Sequence, residues 1–75
     1  MKDVIVYGAS WCAFCKTEKQ WLESLGVTFT YKEIDTDETA MAELVALDVG
    51  SSVPVTKIGG EIVRGFQRQL IQSKL

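Results

Sequence analysis

At 75 residues, with 47% hydrophobic and 24% charged side chains, the chain has the composition of one globular domain spanning residues 1–75, with a core only just large enough to hold a fold. Eight basic against ten acidic residues leave a net charge of −2 and no basic run, which argues against a nucleic-acid partner. No stretch reaches membrane-spanning length, and the four apolar residues 4–7 are too few for a signal-peptide core, so the expectation is a cytoplasmic protein with no membrane partner.

Val4-Ile5-Val6-Tyr7 is a continuous apolar run, as in a strand covered on both faces, and Gly8-Ala9-Ser10 ends it. Residues 13–25 have helical periodicity, with Trp21, Leu22 and Leu25 on the buried stripe and Gly26 as the stop. Residues 28–34 alternate as a strand does, placing Phe29 and Tyr31 on one face. Asp35-Thr36-Asp37 supplies capping groups for a second helix over 38–47, in which Met41, Leu44 and Val45 have core spacing; Gly50-Ser51-Ser52 breaks it. Residues 54–58 and 61–64 flank Gly59-Gly60, a two-residue hairpin signal, and 67–75 form a short closing helix through Leu70, Ile71 and Leu75.

The order βαβαββα makes the first two strands parallel, joined by a helical crossover, and the last two antiparallel. The expected fold class is therefore α/β, a four-stranded mixed sheet with helices on both faces. In such sheets functional groups gather beyond the carboxyl ends of the parallel strands. Cys12 falls there.

Both cysteines lie in Trp11-Cys12-Ala13-Phe14-Cys15. With a helix starting at Cys12, positions three apart share a face, and the first thiol meets the unpaired N–H groups and positive end of the helix dipole. Thiols so placed can have their pKa lowered from about 8.5 to roughly 3.5–7.5, which makes the first cysteine the attacking group and the second the resolving one. A closed zinc site needs four ligands, and two cysteines with no histidine cannot supply a monomeric Cys/His site. A bridge across two intervening residues constrains the unfolded chain too little to be a structural staple. Redox cycling is the reading that remains, because cytosolic thiols are held reduced.

The chain resembles a glutaredoxin of the thioredoxin-fold superfamily over its whole length. The matching pieces are Val4-Ile5-Val6-Tyr7, the Cys12–Cys15 motif, Lys19, Leu22, Val53-Pro54, Gly59-Gly60 and Gly65-Phe66. The resemblance implies that Cys12 is an exposed nucleophile, Cys15 a buried resolving thiol and Val53-Pro54 a cis peptide facing them. It also assigns substrate or glutathione contacts to Tyr7, Trp11, Phe14, Ser52, Val53, Pro54, Gly65 and Phe66. Trp11 and Phe14 read as an apolar rim for partners, against the alternative that one ring packs on its own loop.

Three departures concern the electron donor. Glutathione-using members carry a Lys before the first cysteine, an Arg or Gln before the Thr-Val-Pro stretch and an acidic pair after the final Gly; here those places hold Ala9, Ser51 with Ser52, and Gln67 with Arg68. Gly65-Phe66 before a polar helix is similar to the tail of NrdH-redoxins, which thioredoxin reductase reduces and which supply ribonucleotide reductase. Arg64 or Arg68 is a candidate partner for a glutathione carboxylate, against an ordinary solvated charge.

Both donors, glutathione and thioredoxin reductase, stand open, with disulfide-containing proteins as substrates, glutathione as a possible co-substrate and no tightly bound cofactor or metal. Another class of function is a glutathione-dependent iron–sulfur dimer, which Ala13 between the cysteines permits; otherwise the default is a monomer. Soft-metal chaperoning by the thiol pair is a third. Glu18, three residues after Cys15, has two readings: a partly buried acceptor for the Cys15 proton, or a solvated carboxylate pairing with Lys16, Lys19 or Lys32.

Overall fold

The computed structural model describes residues 3–47 and 53–75. The strand β1 (Val4–Gly8) lies inside the sheet, and side-chain alternation along it separates two layers. Val4 and Val6 point to one face, where they pack with Leu22, Ile58, Val63 and Ile71. Tyr7 points to the other, into a cluster with Ala9, Cys12, Cys15, Ile34, Ala40, Leu44 and Val55, which Ile5 joins at its edge. The first layer lies under helices α1 (Ala13–Ser24) and α3 (Arg68–Lys74), the second under α2 (Glu38–Ala46).

Three further strands, β2 (Thr30–Glu33), β3 (Val55–Ile58) and β4 (Glu61–Arg64), complete a sheet of order β2-β1-β3-β4. β1 and β2 are parallel, with Ile5 opposite Thr30 and Gly8 opposite Glu33. β3 pairs antiparallel with both β1 and β4. The expected mixed four-stranded sheet with helices on both faces is what the chain forms. The hairpin closes at Gly59-Gly60, and Gly59 takes φ 62°, a conformation that glycine adopts without steric cost.

Helix ends follow local chemistry. α1 stops because Gly26, at φ 72°, lets its own N–H reach Glu23 O (3.0 Å) while Val27 N reaches Leu22 O (3.2 Å), a Schellman closure. Asp37 caps α2, accepting from Thr39 N (2.9 Å) and Ala40 N (3.3 Å). Asp35, also expected to cap, instead reaches back to Ser10.

The stripes differ from the periodicity reading. On α1 the buried positions are Cys15, Glu18 and Leu22, with Trp21 half-buried; Leu25 is exposed because the helix has already ended there. On α2 the pair Ala40 and Leu44 faces the sheet, which turns Met41 and Val45 outward. α3 is two turns long and buries Ile71 alone, leaving Leu70 and Leu75 exposed. The strand expected from 28 begins at Thr30, where β1 first offers a partner; Phe29 still packs against the Val4–Val6 layer from the preceding loop, beside Tyr31. The break at Gly50-Ser51-Ser52 lies outside the described residues.

Candidate active site

Cys12 is the N-cap of α1, with extended backbone (φ −92°, ψ 112°), and its sulfur accepts the Cys15 N–H at 3.2 Å. A turn holds it there: Cys12 N donates to Ala9 O at 3.1 Å and Lys16 N to Cys12 O at 3.4 Å. The two cysteines are joined in a disulfide, with Cα atoms 5.3 Å apart. Cys12 keeps 7% of its surface and Cys15 none, so the order of access is the expected one, but Cys12 is nearly buried rather than exposed in this oxidised form. When the bond opens, the Cys15 N–H and the dipole of α1 stabilise negative charge on the Cys12 sulfur.

The loop before Cys12 is pinned from the end of β2. Ser10 N donates to Asp35 Oδ1 at 3.1 Å, and the Ser10 hydroxyl donates to Oδ2. These two donors hold the Asp35 carboxyl below its ordinary range. Reading Asp35 as a helix cap missed this contact. The signal available was its position just after a strand parallel to the one that leads into the cysteines.

Val53-Pro54 is cis. Val53 packs against the cluster that contains both cysteines, and Pro54 O accepts Gly65 N at 2.8 Å, which ties the end of β4 to the proline. Gly65 takes φ 80°. Beside Cys12, Trp11 and Phe14 are 70% and 68% exposed, so neither ring packs down on its own loop.

Two of the expected contact residues, Tyr7 and Phe66, are engaged inside the fold. Tyr7 is buried on the α2 face, where its phenol donates to Glu43 Oε1 at 2.9 Å; burial, then the adjoining carboxylate, push its pKa up to about 12. Lys32 Nζ reaches the same oxygen at 2.6 Å, so the Tyr7 hydroxyl is spent inside the fold. Phe66 packs into the opposite layer, edge-on to Trp21 with centroids 5.9 Å apart, and so serves the core. Ser52 lies outside the described residues. At the place of the family lysine, Ala9 is fully buried, and Arg68 is exposed with its guanidinium 5.9 Å from the Phe66 ring.

Glu18 is fully buried, and the expected pairing with Lys16, Lys19 or Lys32 does not form. Lys32 bonds Glu43, and Lys19 lies over the Tyr31 ring at 5.1 Å. Glu18 Oε2 accepts the Thr56 hydroxyl of β3, and Oε1 has no partner among the described residues. Burial raises its pKa from 4.5 to about 6, against the lowering effect of the Thr56 bond. Thr56 was not singled out from the sequence, although a hydroxyl in the run 54–58 is the only side-chain hydrogen-bonding group on the face that β3 turns to α1.

The glutaredoxin family profile matches residues 4–63, which takes in the cysteines, the cis-proline and the whole sheet but the end of β4. The chain belongs to the glutaredoxin family. Glutaredoxin of Pseudomonas aeruginosa is 34% identical over 65 residues, 87% of this chain and 77% of its own length. Among solved structures, a thioredoxin-like protein superposes with a TM-score of 0.90 at 30% identity, covering 99% of this chain and 95% of that one. The glutaredoxin-like NrdH-redoxin of Escherichia coli, described as having a thioredoxin-like activity profile, superposes with a TM-score of 0.80, covering 95% and 92%. At 24% identity that likeness speaks for the fold alone. The chain is thus a thioredoxin-fold redox protein with a Cys-X-X-Cys pair, and among its described residues no helix is long and apolar enough to cross a membrane.

Proposed function

We propose that this glutaredoxin-family protein is a thiol–disulfide oxidoreductase of the cytoplasm that reduces polypeptide disulfides by dithiol exchange. The observation that carries the reading is the Cys12 sulfur at the N-cap of α1 with the Cys15 N–H directed at it, bonded to the fully buried Cys15. In the reduced protein the Cys12 thiolate attacks one sulfur of a substrate disulfide, forming a mixed disulfide and releasing the first substrate thiolate. Cys15 then attacks Cys12 Sγ, the electron pair of the mixed bond leaves with the second substrate sulfur, and the Cys12–Cys15 disulfide of this structure results. Val53 offers its backbone to an extended substrate strand, and Trp11 and Phe14 offer it apolar area. No tightly bound cofactor is required; glutathione, where it serves, is a co-substrate.

The donor that reopens the disulfide separates two versions of this function. The glutathione-coupled version is supported by membership of the family. The version coupled to thioredoxin reductase, with ribonucleotide reductase among the acceptors, is favoured by the buried Ala9, which offers no charge where glutathione-using members carry lysine. The test is NADPH oxidation with a small disulfide, run once with glutathione and glutathione reductase and once with thioredoxin reductase. Turnover in the first alone assigns a glutathione-coupled glutaredoxin, turnover in the second alone a thioredoxin-reductase-coupled redoxin. Silence in both overturns the proposal.

A further inference from the structure

Burying a carboxylate is costly, and burying one with an oxygen unpartnered costs more. Glu18 does both, in a chain whose core has little stability to give away. It stands one turn after Cys15 on α1, and residues three apart on a helix have Cβ atoms about 5–6 Å apart on one face. Both side chains are fully enclosed. The Thr56 hydroxyl fixes Oε2 and leaves Oε1 uncommitted. Cys15, meanwhile, has to lose a proton in a place that solvent does not reach.

We infer that Glu18 is the proton acceptor for Cys15 in the resolving step, and the donor to it when the disulfide is reopened. This rests on the dithiol-exchange reading above and assigns the residue that reading leaves without a role. The thiol proton of Cys15 passes to Glu18 Oε1, directly or through one water, as Cys15 Sγ bonds to Cys12 Sγ. The mixed Cys12–substrate bond breaks, and its electron pair leaves on the substrate sulfur. The two cysteines are oxidised by two electrons, and the substrate disulfide is reduced by the same two. On the return path an external dithiol attacks the disulfide, and Glu18 protonates Cys15 as it leaves. Thr56 is a positioning residue.

Among the described residues, the surroundings of Glu18 leave its proton exchange to Cys15. The sheet face under α1 presents Val4 and Val6 from β1, Thr56 and Ile58 from β3, and Val63 from β4. From β2 it presents the Tyr31 phenol, whose pKa is raised by burial first and then by neighbouring carboxylates, Glu18 among them. The Lys19 ammonium lies over the Tyr31 ring. The phenol stays protonated throughout the range in which Glu18, at about 6, changes charge.

The test uses the reduced full-length protein and a chromogenic aryl disulfide in stopped flow. One coloured thiolate is released when Cys12 attacks, in a phase that depends on reagent concentration, and a second when Cys15 resolves, in a phase that does not. In the wild type the second phase should quicken as pH rises through about 6, where Glu18 becomes a carboxylate. Glu18→Gln should slow it by ~100-fold and leave only the rise from thiol ionisation nearer about 8.5. Thr56→Val, which removes the bond that holds the Glu18 pKa down, should move the inflection to higher pH. A purely structural Glu18 would move neither profile.

An unchanged second-phase rate and pH profile in Glu18→Gln overturns the inference. Should that variant not fold, an unmoved inflection in Thr56→Val does the same. Absence of a second phase in the wild type would overturn the dithiol-exchange reading itself, so the two failures are told apart.

Discussion

Replacing Glu18 with Gln removes a buried charge while keeping volume and a group able to accept from Thr56, so its effect on stability should depend on pH in a calculable way. Folding carries the carboxyl from an ordinary value of 4.5 to about 6, and the first cause is burial. At about 1.36 kcal/mol per pH unit, that displacement amounts to about 2 kcal/mol. The folded state binds the Glu18 proton more tightly than the unfolded state does. Stability is therefore fully present below the unfolded pKa of 4.5 and is lost as pH rises through the folded value of about 6.

Gln carries no charge at any pH and suffers no such loss. Urea unfolding of both oxidised proteins, at about pH 4 and about pH 8, supplies the comparison. Every other titrating group cancels in the difference between the proteins. The variant's stability relative to wild type should grow by about 2 kcal/mol between the two pH values. A difference constant to within about 0.5 kcal/mol would refute the argument that the fold holds an unneutralised carboxylate.

Trp11→Ala and Phe14→Ala, both at rings that stand in solvent, should leave the unfolding free energy within about 0.5 kcal/mol of wild type. They should raise KM for a protein disulfide while sparing turnover of a small one, a split that steady-state kinetics on the two substrates resolves. Gly8→Ala places a Cβ closer than 3.0 Å to the Tyr31 ring, and overpacking of that kind should cost about 1–3 kcal/mol in chemical denaturation. Asp37→Ala leaves Thr39 N and Ala40 N without their cap and should cost about 1 kcal/mol, with faster amide exchange confined to the first turn of α2.

What could be read from the sequence was what local chemistry decides. The apolar run at 4–7, the Gly26 stop, Asp37 at the start of α2 and the Gly59-Gly60 turn are each set by a few adjacent residues, and the structure places them as expected. The two cysteines announced themselves by spacing. The helix stripes were harder, because α2 and α3 are short: Leu44 and Ile71 are buried as their spacing suggests, but a shift of one position separates Ala40 from Met41 as the partner of Leu44, and only the sheet underneath chooses between them. The cis geometry at Val53-Pro54 came from family resemblance, since nothing in the adjacent residues demands it.

Tyr7 and Phe66 lay in the right segments but on faces that a strand register and a helix contact assign. Glu18 was the least legible. A carboxylate among lysines on a helix reads as solvated, and its hydrogen-bond partner, Thr56, is 38 residues away and brought beside it only when β3 joins the sheet.

The claim that Cys12 attacks and Cys15 resolves is tested most directly by trapping. Cys15→Ser, incubated with a disulfide-bonded polypeptide and measured by intact mass spectrometry, should accumulate a mixed disulfide mapped to Cys12. Wild type under the same conditions should show only its own Cys12–Cys15 bond and free substrate thiols. No adduct on Cys15→Ser, or an equal adduct on Cys12→Ser, would contradict the account.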